Sequence, residues 1–336
     1  MSTTRRMNRE YKKKSKIKII LWCLIILLVS GAIFYAIDLT IEAKKATSKI
    51  YEPLEKDSDE NKNNLFDNVL AKDEAFTMLL VGIENQEDSS NGRSDVIIVV
   101  SVNPLTNKIS MVSLPRDSLV YIPDLEYKDK INHSYSNGGI KYTINTVENL
   151  LNIPIDYYVS TDFEGFEDIV DTIGGIDVDV PFTFKAQLTD SLKWKTFTKG
   201  EMSLNGNQAL AYVRMRKSDP QGDIGRNNRQ KDVIKEIVDK GTGLSSFGKF
   251  DDMIEDVGNN VKSNIPPSSY LSFVKMYKTL KNKPIEQYQL KGNDVYINNI
   301  YYFRPDEDSI EEISNQLKLN LEDTGQEVTH QNDENI

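Results

Sequence analysis

Residues 19–37 read IILWCLIILLVSGAIFYAI, a stretch of 19 positions without a charged side chain. At the rise of an α-helix such a run spans about 30 Å, the thickness of a bilayer core. A cleaved signal peptide and a buried core helix are the alternatives. The run is longer than a signal-peptide apolar region, and its small residues Ser30, Gly31 and Ala32 lie inside it and not after it, so an uncleaved anchor is the expected reading. Residues 1–18 carry eight Lys and Arg against the single Glu10, a net of +7, which leaves −17 for the remainder of a chain whose net charge is −10. By the positive-inside rule, residues 1–18 form a cytoplasmic tail and residues 38 onward lie outside the cell membrane, giving a single-pass protein with an extracellular domain. An acidic outer part argues against nucleic acid as a partner. The one cysteine, Cys23, falls within the apolar run, so the outer part has neither disulfides nor thiol chemistry.

Residues 38–71 are polar and charge-rich and read as a stalk. From residue 72 the texture changes. Apolar runs at Phe76–Ile83, Asp95–Asn103 and Ile109–Leu114 predict strands buried on both faces, the last two joined by a hairpin turn through Asn103-Pro104-Leu105-Thr106-Asn107. Apolar residues at helical spacing follow, first Ile140 to Leu151 and then Phe163 to Ile173, the latter ended by Gly174-Gly175. Further strands are expected at Ile176–Val180 and Tyr288–Leu290, and further helices at Asn205–Val213, Arg226–Lys240, Phe250–Val261, Pro267–Leu280 and Asp308–Leu321. The pattern predicts a single three-layer α/β/α domain over residues 72–322 with a mixed central sheet, followed by a disordered tail at 323–336.

No P-loop, GxGxxG, GxSxG or HExxH motif is present. Of the two histidines, His330 lies in the tail, and His133 by itself reads as a hydrogen-bonded structural residue. What remains is Arg and carboxylate. Arg214, Arg216, Arg226 and Arg229 crowd the segment from Asn205 to Lys231, which suits either an anion grip or surface salt bridges to Asp219 and Asp223. Glu84 ends the first strand and Asp95 begins the second, so antiparallel pairing would bring them to one end, where they could hold a hard divalent cation or merely be solvated and cap a turn. Arg116, after the third strand, is expected at the opposite end of the hairpin from Arg93 unless a crossover or an inserted strand intervenes.

The segments VGIE, GRSD, VSLPRD, KINHSYSNGG, IDYYV, DTIGGIDVDVP, LNGNQALAYVRMRK and GDIGRNNRQ, in this order, resemble the LytR-CpsA-Psr family of Gram-positive envelope proteins over about residues 76–303. The resemblance implies an extracytoplasmic phosphotransferase that moves an anionic glycopolymer, wall teichoic acid or capsular polysaccharide, from a polyprenyl pyrophosphate carrier to the C6 hydroxyl of peptidoglycan N-acetylmuramic acid. Carried over by motif, Arg93, Arg116, Arg214, Arg216 and Gln230 would contact the pyrophosphate, and Glu84 and Asp95 would hold Mg²⁺, with Mn²⁺ as the alternative. Asp223 would orient the Arg cluster or the acceptor, and Arg226 and Arg229 would be supports. Asp223 and Asp95 are the candidate general bases. The family generally has Asp where this chain has Glu84, whose extra methylene moves the ligating oxygens by about a bond length at a site where Mg²⁺ tolerates little error. The implied lipid channel could draw on Leu79, Val81, Phe163, Phe166, Ile169 and Val170, which read equally as plain core. A non-catalytic lipid-pyrophosphate-binding or regulatory protein and a lipid-pyrophosphate hydrolase are the competing readings.

Overall fold

The computed structural model describes residues 50–54, 74–84, 92–241, 260–266, 270–280 and 283–325. The apolar run at 19–37 and the expected helix from Phe250 to residue 259 lie outside them. Among the described residues no helix is long and apolar enough to cross a membrane.

Three Val- and Ile-rich segments form an antiparallel meander: β1 (Phe76–Glu84), β2 (Arg93–Asn103) and β3 (Lys108–Ser113). The turn between β2 and β3 is tied by Asn103, whose Oδ1 accepts from the backbone N–H groups of Leu105 and Thr106 at 3.0 and 3.2 Å. Such local side-chain bonds favour Asn in turns. Chain order continues through a hairpin of β4 (Leu119–Ile122) and β5 (Tyr127–Lys130) to helix α1 (Ile131–Leu151). This helix begins nine residues earlier than its apolar stripe predicts, because its first half is polar. A break at Gly138 and Gly139 separates the halves, with Gly139 at a φ of 63°.

Strand β6 (Tyr157–Asp162) pairs parallel to β1, and β11 (Val261–Ser263) pairs antiparallel to β6. At the other edge β12 (Ile285–Gln289) lies parallel to β3, which completes a mixed sheet of order β11-β6-β1-β2-β3-β12. Both faces are covered, as continuous apolar strands require. On one face Leu79, Val81, Ile97, Val99, Val112 and Tyr158 pack against Ile144, Val147 and Leu151 of α1, and against Ile313 and Leu317 of the C-terminal helix α6 (Glu307–Glu322). On the other, Phe76, Val102, Ile109 and Tyr157 pack with Leu280 and Phe273 of α5 (Tyr270–Leu280).

Between β6 and β11 the chain builds a second core. Helix α2 (Phe163–Thr172) is capped by Asp162, whose Oδ1 accepts from Gly165 N–H at 2.9 Å. Strand β7 (Ile176–Val180) pairs with β10 (Gly200–Leu204), and β8 (Phe184–Gln187) with β9 (Trp194–Phe197). Helix α3 (Gly206–Arg214), capped by Asn205, leads through a loop into α4 (Asp223–Gly241). Val170, Val178, Phe184, Phe197, Leu210, Tyr212 and Val233 fill this core. Leu79 and Val81 therefore belong to one core, and Val170, with the partly buried Phe163 and Phe166, to another.

Three expectations need revision. Part of the supposed stalk is docked: Tyr51 bridges to Ser263, Glu52 N–H donates to Ser263 O at 2.8 Å, and the Tyr158 hydroxyl donates to Glu52 O at 2.8 Å. At the other terminus Asp323 is tied back, its Oδ2 accepting from Lys108 Nζ at 3.0 Å and its carbonyl from Asn103 Nδ2 at 2.8 Å. Within the expected Phe250–Val261 helix, the described end is strand, since Val261 opens β11.

Leu79→Ala, at a fully buried position of β1, is expected to lower unfolding free energy by about 2–5 kcal/mol in denaturant melts. Leu319→Ala, on the exposed side of α6, should change it by less than about 0.5 kcal/mol.

Candidate functional site

A three-stranded meander runs up, down and up, so the C-terminal end of β1, the N-terminal end of β2 and the C-terminal end of β3 fall at one edge. The register shows this, with Glu84 opposite Arg93 and β3 leaving the sheet past Ser113, opposite Ile98. Arg116 therefore lies at the same end as Arg93, not the opposite one, and no crossover or inserted strand is needed. The expectation failed because it reversed β2 without reversing β3.

The pairing of β1 with β2 slips by one residue between Gly82 and Ile83. Gly82 faces Val96 and Ile83 faces Ser94, which leaves Asp95 without an opposite number. This is a β-bulge, a device that re-aims a side chain at a sheet edge. Gly82 brings the two strands close there, since a Cβ at this position would sit 3.0 Å from Val96 Cβ, a tight contact.

Four side chains meet at this edge as a row of alternating partners. Arg214, from the C-terminal end of α3, donates through Nη2 to Glu84 Oε1 at 3.0 Å, and its guanidinium lies 4.4 Å from the centre of the Phe163 ring at the start of α2. The Glu84 carboxyl lies close enough to Asp95 to feel its charge. Asp95 in turn accepts from Arg116 Nη1. Burial, together with the neighbouring Asp95, pushes the Glu84 carboxyl up from its ordinary value, against the opposite pull of Arg214 and Arg116. For Arg116, burial acts downward, but Asp95, Asp117 and Glu84 outweigh it and raise the guanidinium above its usual range. Arg214 and Arg116 keep 42 and 33% of their side chains exposed, so both cations can meet a ligand from solvent.

The remaining predicted residues are placed less directly. Arg93 is exposed, across from Glu84. Arg216 is exposed on the loop after α3, where its carbonyl accepts from Asp219 N–H at 3.0 Å. Asp223 opens α4, and Gln230 is buried two turns along it. Arg229 is a support, as the motif reading implies. Its Nη1 pairs with Asp219, its Nη2 donates to Met215 O, and its Nε donates to Tyr212 O at 3.2 Å. Only 3% of the Arg229 side chain and 2% of Asp219 are exposed. Gly225 makes room for this pair, because a Cβ there would overlap the Asp219 carboxylate. Within the Arg-rich segment Arg229 is in a salt bridge with Asp219, buried and not, as expected, on the surface, whereas Arg214 pairs with Glu84 at the carboxylate edge.

Sequence reasoning missed Asp117 and Lys130. Lys130 Nζ bonds Asp117 Oδ1 at 2.6 Å and lies 5.4 Å from the Tyr302 ring centre, while Asp117 Oδ2 is 3.7 Å from Arg116 Nε. This places a third cation, through Asp117, beside Arg116. A Lys just ahead of a polar helix start carries no such signal in sequence. His133 is the hydrogen-bonded residue expected, with Nδ1 2.7 Å from Asp129 Oδ2.

Solvent-reachable guanidinium groups beside neighbouring carboxylates, carried on a mixed sheet, are the chemistry of this edge. Comparisons with known proteins supply the class. Residues 37–319 match the model of the LytR_cpsA_psr family, and this chain belongs to that family. It is 41% identical over 315 residues to the polyisoprenyl-teichoic acid–peptidoglycan teichoic acid transferase TagU of Bacillus subtilis, covering 94% of this chain and 99% of the relative. The transferase TagV of the same organism is 40% identical over 312 residues, which cover 91% of this chain and 78% of TagV. The crystal structure of B. subtilis TagV superposes with a TM-score of 0.66 at 41% identity, covering 74% of this chain and 98% of that one. A structure of TagT bound to LI-WTA superposes with a TM-score of 0.61 at 31% identity, covering 75 and 92%.

Arg229→Ala is expected to destabilise the fold by about 3–5 kcal/mol, because it strands the buried Asp219 charge. Arg214→Ala should cost at most about 1 kcal/mol, the scale of an exposed pair. Thermal and denaturant melts of the two variants separate the roles; equal losses would contradict the division into brace and site.

Proposed function

We propose that this chain is a membrane-anchored transferase that moves an anionic glycopolymer of the teichoic acid class from a polyprenyl-pyrophosphate carrier to the C6 hydroxyl of N-acetylmuramic acid in peptidoglycan. The observation that carries the reading is the row Arg214–Glu84–Asp95–Arg116 at one sheet edge. Membership of a family whose relatives are named teichoic acid transferases gives that row its substrate class. The anchor is the run at 19–37, with the N-terminus cytoplasmic and the site outside.

In this reading the Arg–carboxylate pairs are the ligand-free arrangement. An arriving pyrophosphate offers Arg214 and Arg116 better partners, since guanidinium groups bind phosphate oxygens in pairs. Arg93, Arg216 and Gln230, from β2, the loop after α3 and α4, would complete the grip. Glu84 and Asp95 are neighbouring carboxylates, a hard oxygen pair that would hold Mg²⁺ or Mn²⁺. The bound cation would supply further neutralisation of charge on the phosphate oxygens. The muramic acid hydroxyl oxygen forms a bond to the phosphorus that carries the glycan, and the bond from that phosphorus to the bridging oxygen breaks. Polyprenyl phosphate leaves with the electron pair, the hydroxyl gives up its proton, and a phosphodiester remains. Asp223 and Asp95 are the carboxylates offered for that proton. The guanidinium groups stabilise the growing charge on the bridging oxygen, and holding hydroxyl and phosphorus in line accounts for much of the rest.

The full chain, incubated with Mg²⁺, a polyprenyl-pyrophosphoryl glycan and peptidoglycan oligomers, is expected to release polyprenyl phosphate and form a covalent glycan adduct. Arg116→Ala or Arg214→Ala should lower the rate on the order of 10²–10³-fold. Background rates equal to wild type would refute the proposal. Lipid binding without turnover would favour the non-catalytic reading, and phosphate release without acceptor the hydrolytic one.

Removal of divalent cations with EDTA is expected to abolish transfer, and Mg²⁺ to restore it. Glu84→Asp, which reinstates the shorter side chain, should keep activity within about tenfold, whereas Glu84→Ala should not. Full activity of Glu84→Ala would remove that residue from the metal set.

A further inference from the structure

Strands β13 (Gly292–Ile297) and β14 (Ile300–Pro305) form a hairpin whose apex is apolar and open to solvent. Its turn residues Asn298 and Asn299 have φ values of 50 and 63°, a two-residue turn that fits the twist of the strands. On either side of it Ile297 and Ile300 are 39 and 50% exposed, and Tyr296 is 73% exposed. The stretch Val295–Phe303 contains no charge. The hairpin is stiff: the Tyr296 and Tyr301 rings meet edge to face at 5.7 Å, the Tyr301 hydroxyl donates to Asp294 Oδ1 at 2.9 Å, and Asn293 Nδ2 donates to Asp306 Oδ1 at 2.9 Å.

Its base is fastened to the candidate site. Phe303 N–H donates to Asp117 O at 2.9 Å, immediately after Arg116, and Lys130 sits over the Tyr301 and Tyr302 rings. From Phe303 to Ile300 is three residues, so the apex stands about 10 Å along the strand from the loop that carries Arg116.

We propose that this apex is a membrane-docking element that dips into the interfacial layer of the bilayer and holds the Arg116 loop against the lipid leaflet that supplies the substrate. The inference rests on the anchored, lipid-substrate reading above. Two exposed Ile and an exposed Tyr are far too few for a stable protein interface, which takes about 20–30 residues a side. A small, uncharged cluster of Tyr and aliphatic side chains is the composition that settles at the boundary of lipid and water. The connection to the proposed anchor is short. Twelve residues, 38–49, separate the apolar run from docked Ile50, and whatever their conformation they span at most about 40 Å.

The test uses the full chain in vesicles of phosphatidylglycerol and phosphatidylethanolamine. In a Cys23→Ser background, Ile297→Cys is labelled with an environment-sensitive fluorophore, and Leu192→Cys, at another exposed position, serves as control. The label at 297 is expected to be quenched at least about twofold more by nitroxide-bearing lipids than the label at 192, and to be shielded from aqueous iodide. Equal quenching at the two positions would overturn the proposal, as would iodide shielding that grows with protein-to-lipid ratio, the signature of a second copy. This readout needs no turnover, so its failure is separable from failure of the transfer assay. The pair Ile297→Asn and Ile300→Asn should slow transfer from a vesicle-borne carrier by about tenfold while leaving a short-chain, water-soluble carrier unaffected. Equal losses on both carriers would also overturn it.

Discussion

The antiparallel pairing of β1 with β2, and the single slipped residue within it, is the constraint from which the candidate site follows. Pairing brings the end of one strand and the start of the next to a common edge, which delivers Glu84 beside Arg93. The slip leaves Asp95 unpaired, where it meets both Glu84 and Arg116. Without the bulge, Asp95 would occupy an ordinary ladder position in a strand whose faces are both covered. The close approach at Gly82 makes the irregularity possible.

A second constraint holds the other half of the site. Arg214 reaches Glu84 from a helix that belongs to the second core, and the loop after that helix turns back on a buried ion pair. Arg229 bonds the carbonyls of Tyr212 and Met215 as well as Asp219, so one side chain fixes both flanks of Arg214. Its guanidinium lies 5.7 Å from the rings of Phe184 and Tyr212, so the same aromatic core that stabilises this region also orients the support. A charge buried in this way is costly unless every partner is present, which gives the loop one arrangement in place of several. Arg214, which is exposed, and Arg116, which is half-buried, carry no comparable burden.

How much of this could be read beforehand varied with the range of the interaction. The strands at β1, β2 and β3 and the later helices followed from apolar spacing, because burial of a face is recorded locally. The caps at Asn205 and Asp162 and the turn at Asn103 are local too. The polar first half of α1 was missed because it packs through groups that spacing does not mark, such as Ser134 and Thr143, whose hydroxyls bond at 3.2 Å. The end at which Arg116 lies was misjudged, although strand direction alone decides it. The brace at Lys130 and Asp117 and the docking of Ile50 to Leu54 depend on segments far apart in the chain, and nothing in either segment announces the other.

By itself the sequence determined which side chains this protein can bring to bear, Arg and carboxylates above all, in an order of motifs that belongs to one family. It also determined the central strands β1, β2 and β3 and most of the described helices, since apolar runs and helical spacing are properties of neighbouring residues, whereas the short hairpin strands such as β4, β8 and β13 carried no such mark. The tertiary structure alone decided which of four clustered Arg is a buried strut and which faces Glu84, because that depends on a bulge in one strand pair and on the aromatic cluster of Phe184, Phe197 and Tyr212, drawn from three separate elements. Chemistry resides in residue types, which a sequence prints, whereas placement arises from register and packing between distant segments, which only the folded chain can express.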